Sequence, residues 1–366
     1  MNELQLSVEL LEDYSDRKHE VTAEELEHRY EKIRAALTLS DLNPKKITAV
    51  SGPVITEFRV TPDRKMKMSE LRDIASDIEY SLNIKGVAVK TRSGGLDIEI
   101  PNENPSIVPL RDIINSDEFR DADYRRPLAI GADVSGKPKI IDLAGAPNIL
   151  AGGSIKQGKT TALASMIVSL MYAKSQEDVR FVLIDPTMTG LALMFANMSD
   201  RYLPDLPGFD EKKVVFSNTE LIAKVLEAMC TEMENRLKGS QNRPDIVVVI
   251  DEYGDLVRPG FKSNEVMTSI IRLVQHGKDA GIHLILSTCR LSVDIVTGLI
   301  KANFPTRIAF RTATMIDSQT VLDSRGAEKL SGNGDSLYSS GTEPLRLQAP
   351  YISLEEVRLI CTKEYE

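Results

Sequence analysis

The sequence lacks most of what would mark a secreted, membrane-spanning or metal-clustered protein. Its 366 residues include three cysteines, Cys230, Cys289 and Cys361. They are too few and too widely spaced for a disulfide framework or a zinc pattern. A reducing cytoplasm is the expected location for such a chain. Four histidines, at 19, 28, 276 and 283, show no metal-site spacing. No apolar run reaches the roughly 18 residues that span a bilayer. The start, Met1-Asn-Glu-Leu-Gln, has neither the basic nor the apolar region of a secretory signal. An excess of positive charge is missing too, the net charge being −9. That excludes a surface coated for nucleic acid, but not a locally basic loop or channel. There are no internal repeats and no low-complexity tract. What is present, 27% charged and 42% hydrophobic residues, describes a globular chain long enough for two or three domains.

The most informative stretch is Gly153-Ser154-Ile155-Lys156-Gln157-Gly158-Lys159-Thr160, a complete G-x-x-x-x-G-K-T phosphate-binding loop. It follows the apolar segment Asn148–Ala151 and opens a helical run beginning at Thr161. Glycines let the backbone turn its N–H groups around a phosphate, and the helix N-terminus adds a favourable dipole. Residues 153–161 are therefore the expected nucleotide-binding segment. Lys159 is expected at the β- and γ-phosphates of ATP and the Thr160 hydroxyl on Mg²⁺. Lys156 either touches nucleotide or faces solvent. Downstream, Ile246-Val-Val-Val-Ile250 reads as a strand buried on both faces, and it ends in Asp251-Glu252. Asp251 would complete the metal site, and Glu252 would polarise an attacking water as general base.

Two regions follow from the rhythm of the chain. Thr22-Ala-Glu-Glu25 is a capping box opening a helix with Leu26, Tyr30, Ile33 and Leu37 on one face. Val50–Val60 reads as a strand, Ser69–Leu82 as a second helix, and Gly86–Lys90 with Gly95–Ile100 as a hairpin. Residues 1–127 are thus expected to form a small α+β domain. In 128–366, candidate strands at 148–151, 181–185, 246–251, 283–288 and 307–312 alternate with helical stretches at 161–173, 218–237, 263–280 and 293–302. That alternation predicts an α/β domain with a doubly wound, mainly parallel sheet.

Several longer stretches resemble the motor domain of FtsK/SpoIIIE double-stranded-DNA translocases. They include Asp178–Pro186, Ala280–Arg290, Ser292–Phe310, Ile316–Asp323 and Gly332–Tyr338, with Leu6–Leu11 and Gly52–Phe58 upstream. The resemblance covers essentially the whole chain. It implies a RecA-like P-loop ATPase domain beneath a smaller α-domain tier, a homo-hexameric ring, and ATP-driven passage of duplex DNA through it. Neither a membrane-spanning N-terminus nor a winged-helix γ-domain is matched in this sequence.

Departures from the family pattern accompany the likeness. Where the family carries an arginine finger this chain has Lys278, which loses the bidentate fork. Arg272 and Arg307 are the alternative trans-acting candidates. The family's Thr-Gln-Arg-Pro becomes Thr288-Cys289-Arg290-Leu291, and Asp-Pro-Lys becomes Asp185-Pro186-Thr187. Cations expected on the pore loop are replaced by Met315 and Gln319. Arg290 and Lys301 match DNA-facing positions. A competing expectation is therefore a nucleotide-binding regulatory or structural homologue with weak ATPase or weak DNA grip.

Overall fold

Two β-sheets organise the chain, whose computed structural model describes residues 4–64, 67–239, 243–258 and 263–363. The smaller sheet contains β1 (Lys46–Ser51), β2 (Ile55–Thr61), β3 (Ala88–Arg92) and β4 (Gly95–Pro101), in the antiparallel order β1-β2-β4-β3. Helices α1 (Ala23–Leu39) and α2 (Met68–Leu82) pack on it. Thr22 caps α1 by accepting a hydrogen bond from the Glu25 N–H. Ile33, Leu37, Phe58, Ile74, Ile78 and Ile98 form its core. The single strand expected over Val50–Val60 is instead a hairpin. Pro53 has no N–H for a ladder, and the Gly52 N–H closes the turn on the Ile55 carbonyl at 2.9 Å.

The larger sheet has ten strands. They are β5 (Pro127–Asp133), β6 (Pro138–Asp142), β7 (Asn148–Gly152), β8 (Val179–Ile184), β9 (Val215–Phe216), β10 (Asp245–Ile250), β11 (Ile282–Thr288), β12 (Thr306–Phe310), β13 (Asp335–Ser339) and β14 (Leu345–Gln348). The order is β6-β5-β14-β13-β12-β7-β11-β10-β8-β9. From β12 to β9 the pairing is parallel, and from β12 to β6 it is antiparallel. Sequence periodicity finds five of the six parallel strands, missing two-residue β9, and none of the antiparallel flank. Its two hairpins turn on Gly136 and Gly341, both with positive φ, and their strands β6 and β14 are short and only partly buried.

Helices cover both faces. On one lie α3 (Lys159–Ala173) and α6 (Leu354–Lys363), packed on Ile149, Phe181, Val247, Val249 and Ile285. On the other lie α4 (Thr219–Lys238) and α5 (Ser263–His276), packed on Leu150, Val182, Val248, Ile250 and Leu284. Adjacent residues of one strand thus enter opposite layers, which is why the central strands read as unbroken apolar runs. Full burial of one such side chain stabilises the fold by about 1.5–3 kcal/mol. Leu11, and Val108, Leu110, Ile113 and Phe119 after β4, join the α3 layer rather than the small-domain core.

Two helical expectations change at their ends. The 263–280 stretch tightens into a 3₁₀ turn over Gly277–Ala280 and stops at Gly281, which has φ +67°. The 293–302 stretch is helical over Gly298–Asn303 alone, because Thr297 caps it there, accepting from the Ile300 N–H at 3.3 Å.

Candidate functional site

The phosphate loop joins β7 to α3 and hangs over the carboxyl edge of the parallel strands. Its turn is set by Gly158, at φ +98° the N-cap of α3, and by Lys156, exposed at φ +60°. A Cβ on Gly158 would stand 2.7 Å from the Gly334 nitrogen, so a neighbouring segment also demands glycine there. Lys159 is 5% exposed, and its ammonium donates to the carbonyls of Gly153 and Ser154, each at 2.9 Å. These bonds aim it back across the mouth of its own loop.

Strand order places the acidic residues. β11 lies between β7 and β10, and parallel register sets Leu286 beside Ile250. The carboxyl ends of the three strands therefore lie together, with the start of α3 beside them. Thr160 Oγ1 donates to Asp251 Oδ2 at 2.9 Å, and Ser287 Oγ donates to Asp251 Oδ1. Burial pushes the Asp251 carboxyl above its ordinary range, although the Ser287 and Thr160 hydroxyls pull the other way. Glu252 adopts a left-handed conformation, φ +53°, which turns its side chain toward β11. There the main-chain N–H of Cys289 donates to Glu252 Oε2 at 2.9 Å. This bond uses the main chain, so it does not depend on the side chain at 289. The Cys289 thiol itself is pushed up to about 11, by burial first and then by Glu252.

Three contacts escape sequence reading, although Ser287–Arg290 and Gly332–Tyr338 are both legible as segments. The bond from Ser287 to Asp251 is set by strand register. Gly190 lies so close that a Cβ would stand 2.6 Å from Asp251 Oδ2 and 3.1 Å from Thr160 Cγ2. Its loop is anchored by buried Asp185, which accepts from the N–H groups of Gly190 and Ala192 at 2.9 and 3.0 Å. The 331–334 segment packs on the phosphate loop, with the Gly334 N–H on the Gln157 carbonyl at 3.0 Å. Its Gly-x-Gly pattern is a signal that could have been read. Together these surfaces enclose a cleft of about 1060 Å³, also lined by Val54, Ile107 and Tyr351.

The donor set fits Mg²⁺. A hydroxyl and a buried carboxylate are hard oxygen ligands, and Gly190 keeps the space beside them clear. Among the described residues no group of three or more His, Cys, Asp or Glu could hold a metal ion.

The remaining candidates are scattered. Arg290 lines the cleft and pairs with Asp255 at 3.1 Å. Lys301 and Arg307 share Asp323; burial opposes ionisation of that carboxyl, but the two cations outweigh it and hold it low. Arg307 also donates to the carbonyls of Phe304 and Lys301, so its guanidinium is engaged inside the chain. Arg272 pairs with Glu234 at 2.5 Å. Lys278 is exposed at the opposite edge of the sheet, before β11, and lines a cavity of about 240 Å³ with Arg125, Arg126, Arg243 and His283.

Residues 109–239 match the FtsK/SpoIIIE family model, and residues 7–102 match the FtsK alpha domain. The chain is 34% identical to the DNA translocase FtsK of Haemophilus influenzae, over 96% of this chain and 73% of that protein. It is 32% identical to the DNA translocase FtsK of Chlorobaculum tepidum, over 97% of this chain but 46% of the relative. The chain therefore spans less than half of some relatives. Among solved structures, the pCW3 conjugation coupling protein TcpA, determined with ATPγS, superposes with a TM-score of 0.61 at 19% identity, over 92% of this chain and 99% of that one. The cytoplasmic domain of the Thermomonospora curvata type VII secretion ATPase EccC gives 0.56 at 20% identity, over 70% of this chain and 34% of that one. These two show a shared fold. No helix among the described residues is long and apolar enough to cross a membrane.

Proposed function

The chain belongs to the FtsK/SpoIIIE family, and from that premise we propose that it is an ATP-driven motor that moves double-stranded DNA as a ring of identical subunits. The observation that carries the catalytic part is the convergence at one sheet edge of Lys159, the Thr160–Asp251 pair and Glu252. Residues 153–161 bind the phosphates through backbone N–H groups. Lys159 leaves its two carbonyls for the β- and γ-phosphates. Thr160 and Asp251 would hold Mg²⁺, which when bound neutralises charge on the phosphate oxygens. Glu252 takes the proton of the water whose oxygen attacks the γ-phosphorus, while the bond from that phosphorus to the β-phosphate oxygen breaks. The Cys289 N–H holds the Glu252 carboxylate for that role.

Support for assembly comes from the far edge of the sheet. Lys278 and Arg125 stand there exposed and have no side-chain partner among the described residues. In a ring, this cavity would meet the nucleotide of the neighbouring subunit. Arg125 would then supply the planar fork that a lysine lacks, whereas Arg243, in the same cavity, is paired with Glu232 at 2.8 Å. Arg272 and Arg307 are less suited, because each is already paired within its own chain. On the DNA side, Lys301 and Arg290 are each tied to one carboxylate. Met315, 39% exposed, and Gln319, also exposed, stand where cations would grip phosphates, and Ile316 beside Met315 adds apolar surface. This favours a weak grip, and it is the observation behind a second reading, a nucleotide-binding relative that does not pull DNA.

One measurement separates the two. ATP hydrolysis by the purified chain is followed at low salt with and without long duplex DNA. The motor reading expects stimulation by DNA that fades as salt rises. Hydrolysis indifferent to DNA at low salt sinks it. Mass measurement with ATPγS and duplex DNA tests the ring.

A further inference from the structure

A buried ion cluster ties the small domain to the nucleotide cleft. Arg346, on β14, is 3% exposed. Its Nη1 donates to Oε2 of Glu99 on β4, in the small domain, at 3.0 Å. Its Nε and Nη2 donate to both oxygens of Asp335, at 3.0 and 2.7 Å, in the large domain. Glu99 and Asp335 are 2% and 1% exposed, and Lys90 closes the cluster on Glu99 Oε1 at 2.5 Å. Two cations thus face two carboxylates. Burial disfavours the charge on Arg346, yet Asp335 and Glu99 outweigh it and hold its pKa above the ordinary value. One guanidinium therefore grips both domains in a bidentate-plus-one arrangement that lysine cannot copy.

The cluster is also wired to the phosphate loop. Asp335 Oδ2 accepts from the Ser331 N–H at 2.7 Å, which fixes the start of the 331–334 segment. At its other end the Gly334 N–H donates to the Gln157 carbonyl at 3.0 Å, and the Gly334 carbonyl accepts from Ala349 N–H at 2.8 Å. Gln348, two residues beyond Arg346 on the same face of β14, donates to the Asn333 carbonyl at 2.8 Å. Glycine is favoured along this contact by φ of +92° at Gly332 and +93° at Gly334, and the two backbones approach closely, a Cβ on Gly158 standing 2.7 Å from the Gly334 nitrogen. The small domain approaches equally closely at the other end, since a Cβ on Gly86 would stand 2.9 Å from the Lys329 carbonyl oxygen. A continuous chain of contacts runs from Glu99 through Arg346, Asp335 and Ser331–Gly334 to Gln157.

We propose that Arg346 is a positioning residue that couples the seating of the small domain to the placement of the 331–334 segment against the phosphate loop. Nucleotide affinity then depends on a residue of the other domain, Glu99, that does not line the cleft. The proposal rests on the cleft being the ATP site. Its test uses nucleotide binding without DNA, so that it fails separately from the motor reading. ATPγS affinity is measured by calorimetry for the wild-type chain and for Glu99→Gln, Arg346→Lys and Asp335→Asn, with thermal unfolding as the control for folding. The expected result is at least a roughly fivefold loss of affinity in the folded variants, the low end of coupling between sites. In hydrolysis the loss falls mainly on KM rather than kcat. A purely structural cluster would lower the melting temperature and leave affinity unmoved. Folded variants that all bind ATPγS within about twofold of wild type overturn the proposal. Hydrogen exchange on the wild type covers the case in which no variant folds. ATPγS is expected to slow exchange at residues 84–90, which do not line the cleft, and unchanged exchange there also overturns the proposal. Failure of the wild type to bind ATPγS would instead remove the ATP-site reading itself.

Discussion

Replacing Gly190 by alanine tests how tightly the site is built. The added methyl would stand 2.6 Å from Asp251 Oδ2, where ordinary contact begins near 3.4 Å, so about 0.8 Å must be found. The carboxylate has little room to retreat, because its other oxygen accepts from Ser287 Oγ and from the Glu252 N–H. The loop has little room either, because the Gly190 and Ala192 N–H groups are held by Asp185. Overpacking of this kind costs about 1–3 kcal/mol. About 2 kcal/mol expressed in the transition state corresponds to a roughly 30-fold loss of kcat/KM. The assay is ATP hydrolysis against Mg²⁺ concentration, beside thermal unfolding. Gly190→Ala is expected to lower kcat/KM by about that factor and to raise the Mg²⁺ requirement, while melting within a few degrees of wild type. Activity within twofold at an unchanged Mg²⁺ requirement would refute the reasoning that Gly190 keeps the metal side of the cleft clear.

Glu252→Gln keeps the shape of the side chain and removes the base. It is expected to slow hydrolysis by about 10²–10⁴-fold with ATPγS affinity retained, and hydrolysis near wild type would remove Glu252 from the reaction. Cys289→Ala is expected to stay within about twofold of wild type, because the group that holds Glu252 is the backbone N–H; Cys289→Pro, which has none, is expected to lose most activity. His283 carries a pH dependence. Burial, and after it the Arg126 charge, pushes its pKa from 6.5 down to about 3. Below pH 6.5 the unfolded chain takes up a proton that the folded chain refuses, so stability falls by about 1.4 kcal/mol per pH unit until about pH 3. Asp245, Asp142, Arg125 and Lys278 also stand near this histidine, so the readout is the difference between wild type and His283→Asn in melting temperature from pH 7 to 5. Equal slopes would contradict the assignment.

The residues legible in the sequence are those whose chemistry is carried by residue type at short spacing. Gly158, Lys159 and Thr160 lie in one motif, and Asp251-Glu252 end a strand marked by its own apolar run. What stays hidden depends on pairing between distant segments. Ser287 reaches Asp251 only because β11 runs between β7 and β10 in a particular register. Gly190 matters through what a methyl group would strike, which no spacing rule reports. At 289 the sequence shows a changed side chain, while the contact to Glu252 is made by the main-chain N–H, which residue type does not report. The antiparallel flank escapes in part because β6 and β14 are short and only partly buried, yet it delivers Gln348 to the cleft and Arg346 to the ion cluster behind it.

Strand β11 is buried along all seven of its residues. At about 3.3 Å per residue it spans roughly 20 Å. At one end Ser287, Thr288 and Cys289 touch, in turn, the Asp251 carboxylate, the Gly153 backbone and the Glu252 carboxylate. At the other lie Lys278 and the cationic cavity. Packed on both faces and paired on both edges, such a strand resists bending and shifts, if at all, as a strut. A displacement of a fraction of an ångström at the Asp251 end would therefore be carried along the strand toward the far edge and shared with the strands paired to it. Inserting or deleting a residue within β11 would break that transmission more surely than changing any of its side chains.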